Sequence, residues 1–253
     1  MTRNSDPAKR LILDIETSPM DLRGFGLRNQ FFGLDQIQEQ TRMLSIAAKW
    51  YGASRTQFFA SYEIGQTEMV QAAWDLVNEA EIVIHYNGKS FDMRHLNREF
   101  IEQELGPPSP YQYIDLYKMV KKHVFLPSYK LEYVLRWLGL EGKVAHTGFE
   151  MWNQVLDGDE KARRLFKRYN IGDVTKTELV YDRLMGWIDD HPNLQLLVPA
   201  EDDGPRCPTC LSTDVKMEGT APVGKLSRVQ RYSCKNCGRW FRGKEVVARA
   251  VER

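Results

Sequence analysis

The first 206 residues of this chain hold no cysteine; all four thiols lie at 207, 210, 234 and 237. That distribution excludes a disulfide framework for the body of the protein. No apolar run approaches the roughly 18–20 residues that a membrane-crossing helix needs. The opening MTRNSDPAKR lacks the apolar stretch of a secretory signal, so the expectation is a cytoplasmic protein with no membrane partner. There is no internal repeat and no low-complexity tract, which leaves an ordinary folded chain. A net charge is almost lacking as well, with 35 Lys and Arg against 34 Asp and Glu, or +1.

That near-neutral balance conceals a division. From residue 204 onward there are 11 basic and 4 acidic residues, a net +7, which leaves residues 1–203 at −6. An acidic body repels phosphate except where cations sit, and a basic tail raises the local concentration of nucleic acid. With 253 residues the chain has room for one α/β domain of ordinary size plus a small appendage.

Four acidic residues stand in three distinctive contexts. Asp14 and Glu16 lie two apart in the apolar run LILDIET, so on a strand both carboxylates project from one face. Asp92 follows a Gly/Ser turn in IHYNGKSFD and opens a helical stretch. Asp173 comes four residues after Tyr169 in YNIGDV, which puts the two on one side of a helix. Carboxylates facing a core are costly unless a cation neutralises them, and hard oxygen ligands suit Mg²⁺ or Mn²⁺.

These three motifs resemble, in order and spacing, those of the DEDD 3′–5′ exonucleases of the DnaQ-like, ribonuclease H-like superfamily, in the tyrosine (DEDDy) variant. The resemblance covers about residues 10–190. It implies a mixed β-sheet flanked by helices and two Mg²⁺ or Mn²⁺ ions, with Asp14 bridging both. Glu16 and Asp173 would complete the site that activates water, Asp92 would hold the second ion directly or through water, and Tyr169 would orient the water. It also implies release of nucleoside 5′-monophosphates from single-stranded DNA ends. The alternatives are an exoribonuclease and a non-catalytic nucleic-acid-binding scaffold. Thr17, Asn87 and Phe91 are the candidate substrate contacts, although Asn87 is equally able to satisfy its own turn. His85 and His95 flank the second motif and are read as structural rather than as ligands.

Cys207-x-x-Cys210 and Cys234-x-x-Cys237 form two knuckles separated by a short loop, the pattern that closes a tetrahedral thiolate site around one structural Zn²⁺. The expected organisation is a ribonuclease H-like domain over 1–198, a linker over 199–206, and a zinc ribbon with a basic tail over 207–253. The ribbon is expected to bind nucleic acid, with a polymerase or repair protein as the other candidate partner.

Apolar periodicity places strands at 10–15, 43–51, 56–60, 82–84 and 113–115. Helices are expected at 67–80, 91–105 (with Ser90 as N-cap), 116–123, 130–138, 159–169 and 174–189. The third motif would then fall at a junction between two helices. Residues 20–42 read as a loop in which Phe25, Phe31 and Phe32 anchor the chain to the domain more often than they stack on a nucleotide. Trp50, Trp74, Trp137 and Trp152 read as core. Trp240 and Phe241, set between Arg239 and Arg242, either stack on bases or pack over the zinc site. The basic run KARRLFKRY at 161–169 reads as a solvated helix face.

Overall fold

The computed structural model describes residues 8–26, 31–140, 148–199 and 204–250. The first strand, β1 (Arg10–Thr17), is the middle of the structure. Its side chains alternate as the pleat requires, with Leu11, Leu13 and Ile15 entering one apolar cluster and Ile12 another. Asp14 and Glu16 share the parity of Ile12 and so belong to that second face.

A short hairpin of β2 (Asp21–Leu22) and β3 (Ile37–Glu39) follows. The chain then returns as β4 (Met43–Trp50), antiparallel to β1, and β5 (Gln57–Ala60), antiparallel to β4. The helices α1 (Ser61–Ile64) and α2 (Gln66–Glu79) lead into β6 (Ile82–His85), which runs parallel to β1. After α3 (Asp92–Glu102), β7 (Gln112–Asp115) adds in parallel to β6. The sheet order is β5-β4-β1-β6-β7.

Four further helices complete this part: α4 (Leu116–His123), α5 (Leu131–Trp137), α6 (Phe149–Leu156) and α7 (Glu160–Leu184). Each face of the sheet is covered. Met69, Val70 and Val77 of α2 and Met93, Leu96 and Phe100 of α3 pack on Leu11, Leu13 and Ile15. On the other face, α4, α5 and α7 contribute Leu116, Val134, Val174, Val180 and Tyr181 to the core around Ile12, Ile82 and Ile84.

The third motif does not lie at a helix junction. Residues 160–184 form one helix, started by Asp159, whose side chain accepts the Ala162 amide at 2.7 Å. Gly172 in a helix interior costs about 1 kcal/mol, and the buried face of α7 outweighs it. That face is fastened to the sheet by a buried Lys49–Glu178 pair, by the Gly52 amide donating to Glu178 Oε1 at 2.8 Å, and by Arg10 Nη1 donating to the Tyr181 hydroxyl at 3.0 Å.

Other local expectations also change. α3 begins at Asp92, with Phe91 in the N-cap position and no side-chain cap. Ser90 instead donates to the backbone and side-chain oxygens of Asn87, both at 3.0 Å, closing the turn before the helix. Phe25 and Phe31 are fully exposed and Phe32 is half exposed, so none anchors the loop. Trp50 and Trp74 pack on the core, while Trp137 is nearly half exposed.

The C-terminal region is a three-stranded antiparallel sheet of β8 (Val215–Val223), β9 (Ser227–Cys234) and β10 (Trp240–Arg249). Its cysteine knuckles pack on the rest of the chain: Cys210, Leu211 and Cys237 lie against the α7 core that includes Met185, Ile188 and Leu194. The Leu194 amide donates to the Pro208 carbonyl at 2.8 Å.

Candidate active site

β1 and α7 build the site together. The nearest ligand oxygens of Asp14, Glu16 and Asp173 all lie within 4.8 Å of one another. Asp14 and Glu16 come from alternate positions of β1, and Asp173 comes down from the buried face of α7. Three carboxylates this close repel one another. An ion bound by oxygens at about 2.1 Å, as Mg²⁺ is, fits such a donor set.

Tyr169, one turn before Asp173, completes the patch. Its ring packs against Trp152 of α6 (6.1 Å between centroids), which in turn meets Phe166. Burial, then the neighbouring carboxylates of Asp173, Glu16 and Asp14, then a hydrogen bond with Asp173, all raise its pKa above that of an ordinary phenol. The hydroxyl thus lies at the edge of the carboxylate cluster, hydrogen-bonded to Asp173.

Asp92 is placed differently from the other three carboxylates. β6 pairs with β1 only as far as Ile12–Ile84, and beyond that point the Asp92 side chain takes over, with Oδ1 accepting the Ile15 amide at 3.0 Å. Burial pushes its carboxyl up to about 6, against the pull of the Ile15 amide and its own. The structure thus brings three of the four expected carboxylates into one cluster and holds the fourth on the edge of β1.

The second motif owes its shape to close packing. A Cβ on Gly88 would sit 2.6 Å from His85 Cγ and 2.9 Å from Asp92 Oδ2. Only glycine lets the turn lie between those two side chains. Buried His85 accepts the Gly88 amide at Nδ1 (2.9 Å), as befits a structural histidine. Asn87 has a positive φ of 67°, donates its amide to Asp115 (3.0 Å), and has its side-chain oxygen engaged by Ser90. Its side-chain oxygen therefore serves the turn. Phe91 is partly exposed beside His95 (4.7 Å between centroids), and Thr17 is half buried at a bulge in β1.

One residue of the site carried no role in the sequence reading. Asn170, fully buried, donates from Nδ2 to Asp14 Oδ2 at 2.7 Å and to the Asp14 carbonyl at 3.2 Å, while Ser45 Oγ donates to its Oδ1 at 2.9 Å. The available signal was an amide inside the third motif and a lone hydroxyl in the otherwise apolar start of β4.

The sheet order and the crossing of α7 over β1 agree with a sequence match: the family model of the RNase H superfamily covers residues 11–185. The chain belongs to the RNase H superfamily. Among solved structures of this fold is the family B DNA polymerase from the hyperthermophilic archaeon Pyrobaculum calidifontis, similar at 18% identity and a TM-score of 0.55. That match covers 72% of this chain and 25% of the polymerase, so the chain spans about a quarter of it. RNase D of Trypanosoma brucei is similar at 15% identity and a TM-score of 0.46, over 75% of this chain and 62% of that one. No curated protein matches the chain in sequence.

Beyond the RNase H superfamily match lie the cysteines. All four are free thiols, with Cys207 and Cys237 Sγ 3.6 Å apart and Cys210 and Cys234 Sγ likewise 3.6 Å apart. Tetrahedral Zn²⁺ with bonds of about 2.3 Å sets its sulfurs about 3.8 Å apart, so the cluster fits that ion. Hydrogen bonds from Cys207, then Cys237, drive Cys210 toward the thiolate, and Asn236 Nδ2 adds another at 3.5 Å.

The basic run before the third motif is largely engaged. Lys167 pairs with Glu63 (3.2 Å), Arg164 with Glu160 (3.3 Å), and Arg163 lies over the Tyr62 ring (4.6 Å).

Proposed function

We propose that this RNase H superfamily chain is a metal-dependent 3′–5′ exonuclease that shortens single-stranded DNA ends and releases nucleoside 5′-monophosphates. The observation that carries the reading is the convergence of Asp14, Glu16 and Asp173 with Tyr169 on one patch between β1 and α7. Bound Mg²⁺ or Mn²⁺ ions would supply an activated water and charge stabilisation for in-line displacement at phosphorus. Asp14, Glu16 and Asp173 would hold the ions, with Asp92 acting through water from the edge of β1. Tyr169 would help to fix the direction of the attacking water by hydrogen bonding. Thr17 and the exposed ring of Phe91 are proposed to meet the terminal nucleotide.

The domain reading belongs to this proposal. A nuclease domain over 1–198 carries the chemistry, and a ribbon over 207–253, held by one Zn²⁺, adds basic surface for the strand. On the ribbon, Arg231 lies over Trp240 at 4.8 Å and faces Arg242 across the β9–β10 pair, giving a cationic and aromatic surface of the kind that holds single strands.

The test is incubation of 3′-labelled and 5′-labelled single strands of DNA and RNA with Mg²⁺ or Mn²⁺. Stepwise loss of the 3′ label from DNA as mononucleotides is expected. Preference for RNA would move the substrate to exoribonuclease chemistry. Binding without cleavage in either metal would make the chain a scaffold.

A further inference from the structure

We infer that Asn170 is a positioning residue whose side-chain amide, itself oriented by Ser45, helps to set the direction in which the Asp14 carboxylate faces a divalent ion. The inference rests on the metal-site reading given above.

The hydrogen-bond directions leave one arrangement. The carbonyl and carboxylate oxygens of Asp14 can only accept, so the NH₂ of Asn170 must face them, at 3.2 and 2.7 Å. Its carbonyl oxygen then points the other way and receives the Ser45 hydroxyl at 2.9 Å. Both Asn170 and Ser45 are fully buried, so water does not compete for these bonds. The amide is locked at both ends and cannot flip.

The register of the sheet explains why Ser45 is the second partner. In the β1–β4 pair Ser45 stands directly opposite Glu16, so its side chain emerges on the same face as the acidic pair. Its flanking residues in β4, Met43, Leu44, Ile46, Ala47 and Ala48, are apolar. One hydroxyl at this position reaches the helix that carries Asp173. The chain Ser45 to Asn170 to Asp14 therefore ties β4, α7 and β1 together at the metal site. It commits one lone pair of Asp14 Oδ2 to the protein and so helps to set the direction in which that carboxylate faces. Without Asn170 the carboxylate loses this bond, and its orientation toward an ion is less tightly set.

The experiment measures Mn²⁺ binding to the full chain by calorimetry or by the EPR signal of free Mn²⁺, alongside turnover on a labelled single strand and thermal melting. Asp14→Asn identifies the site: its loss of Mn²⁺ binding assigns the signal, whereas Mn²⁺ binding equal to wild type would remove the metal-site reading itself. Given that control, Asn170→Ala is expected to weaken Mn²⁺ about tenfold or more, the usual effect of removing a group that orients a ligand. It should lower kcat with little change in KM for the strand. Ser45→Ala should show a smaller loss of the same kind, and Ser45→Thr, which keeps the hydroxyl, should restore Mn²⁺ affinity. Wild-type Mn²⁺ affinity in a folded Asn170→Ala overturns the proposal. Should Asn170→Ala fail to fold, Ser45→Ala decides: unchanged Mn²⁺ affinity and turnover overturn the proposal, and weakened affinity rescued by Ser45→Thr supports it.

Discussion

The carbonyl oxygen of Cys237 lies 2.1 Å from the point that a Cβ on Gly186 would occupy, so the second cysteine knuckle rests directly against the chain leaving α7. Arg239, two residues on, reinforces the contact by donating to the carbonyls of Ile188 (2.8 Å) and Asp189 (2.9 Å). A sequence with Pro192 and EDDGP between the two parts suggests an appendage on a linker. The structure packs the knuckles onto the core around Ile188 and Leu194.

Gly186→Ala should therefore destabilise the whole chain. Forcing a methyl into that contact costs roughly 1–3 kcal/mol, which corresponds to a fall in Tm of roughly 2–12 °C for a protein of this size. Arg239→Ala should act in the same direction. Thermal melting with parallel zinc analysis checks this. A melting curve equal to wild type would show that the knuckle can move away freely.

His85 should impose a pH dependence on stability. Burial holds its imidazole down at about 4, from an ordinary 6.5, although Asp115 pulls the other way. Its depressed folded value means that the unfolded chain takes up a proton first as the pH falls. Stability is thus full above about 6.5 and is lost progressively down to about 4, by up to about 3 kcal/mol. Urea unfolding between pH 7.5 and 4.5 should show this loss in the wild type, and a shallower one in His85→Asn, whose side-chain oxygen can still accept the Gly88 amide. Parallel curves for the two proteins would sink the assignment. Gly88→Ala tests the same packing directly: with its methyl 2.6 Å from the His85 ring, it should lower both stability and cleavage.

Tyr169→Phe should slow cleavage by about 10²-fold at unchanged strand affinity, the effect of removing one placed hydrogen-bonding group. Burial and the neighbouring carboxylates push the Tyr169 phenol above its ordinary value, so the wild-type rate should show no alkaline limb from this residue below about pH 10. Single-turnover rates across pH decide it. An unaltered rate would leave Tyr169 as a packing partner of Trp152.

The ribbon prediction concerns salt. Replacing Arg231 and Arg242 together by Ala should weaken single-strand binding and reduce the slope of log affinity against log salt by about 0.7 for each phosphate that the arginines no longer neutralise. Fluorescence anisotropy over a salt series measures both. Equal slopes would direct attention to a protein partner for this surface.

Much of the site was legible in the sequence because its chemistry is local. Two carboxylates at strand spacing and a Tyr/Asp pair at helix spacing specify their faces without any knowledge of the fold. What escaped notice depends on tertiary register. Asn170 gains its role only when α7 lies across β1, and Ser45 only when β4 pairs so that it stands opposite Glu16. Asp92 could be counted with the other carboxylates by motif, but the bond of its Oδ1 to the Ile15 amide, where β6 stops pairing with β1, depends on the sheet register. The unbroken α7 is not legible locally, because the Lys49–Glu178 pair that helps to hold it on the sheet joins residues more than a hundred positions apart. The exposure of Phe25 and Phe31 runs against the ordinary tendency of such side chains to be covered.

Asp14 and Asn170 are 156 positions apart, and Arg10 and Tyr181 are 171 apart. The patch that would hold the metal ions therefore exists only after the longest loop of the domain has closed, a step that comes at high entropic cost and slows folding of such topologies. A growing or partly folded chain possesses β1 with its acidic pair long before it possesses Asp173 and Tyr169. Catalytic competence should appear all at once with the docking of α7, so that refolding followed by Mn²⁺ binding and by tyrosine burial ought to give a single shared time course.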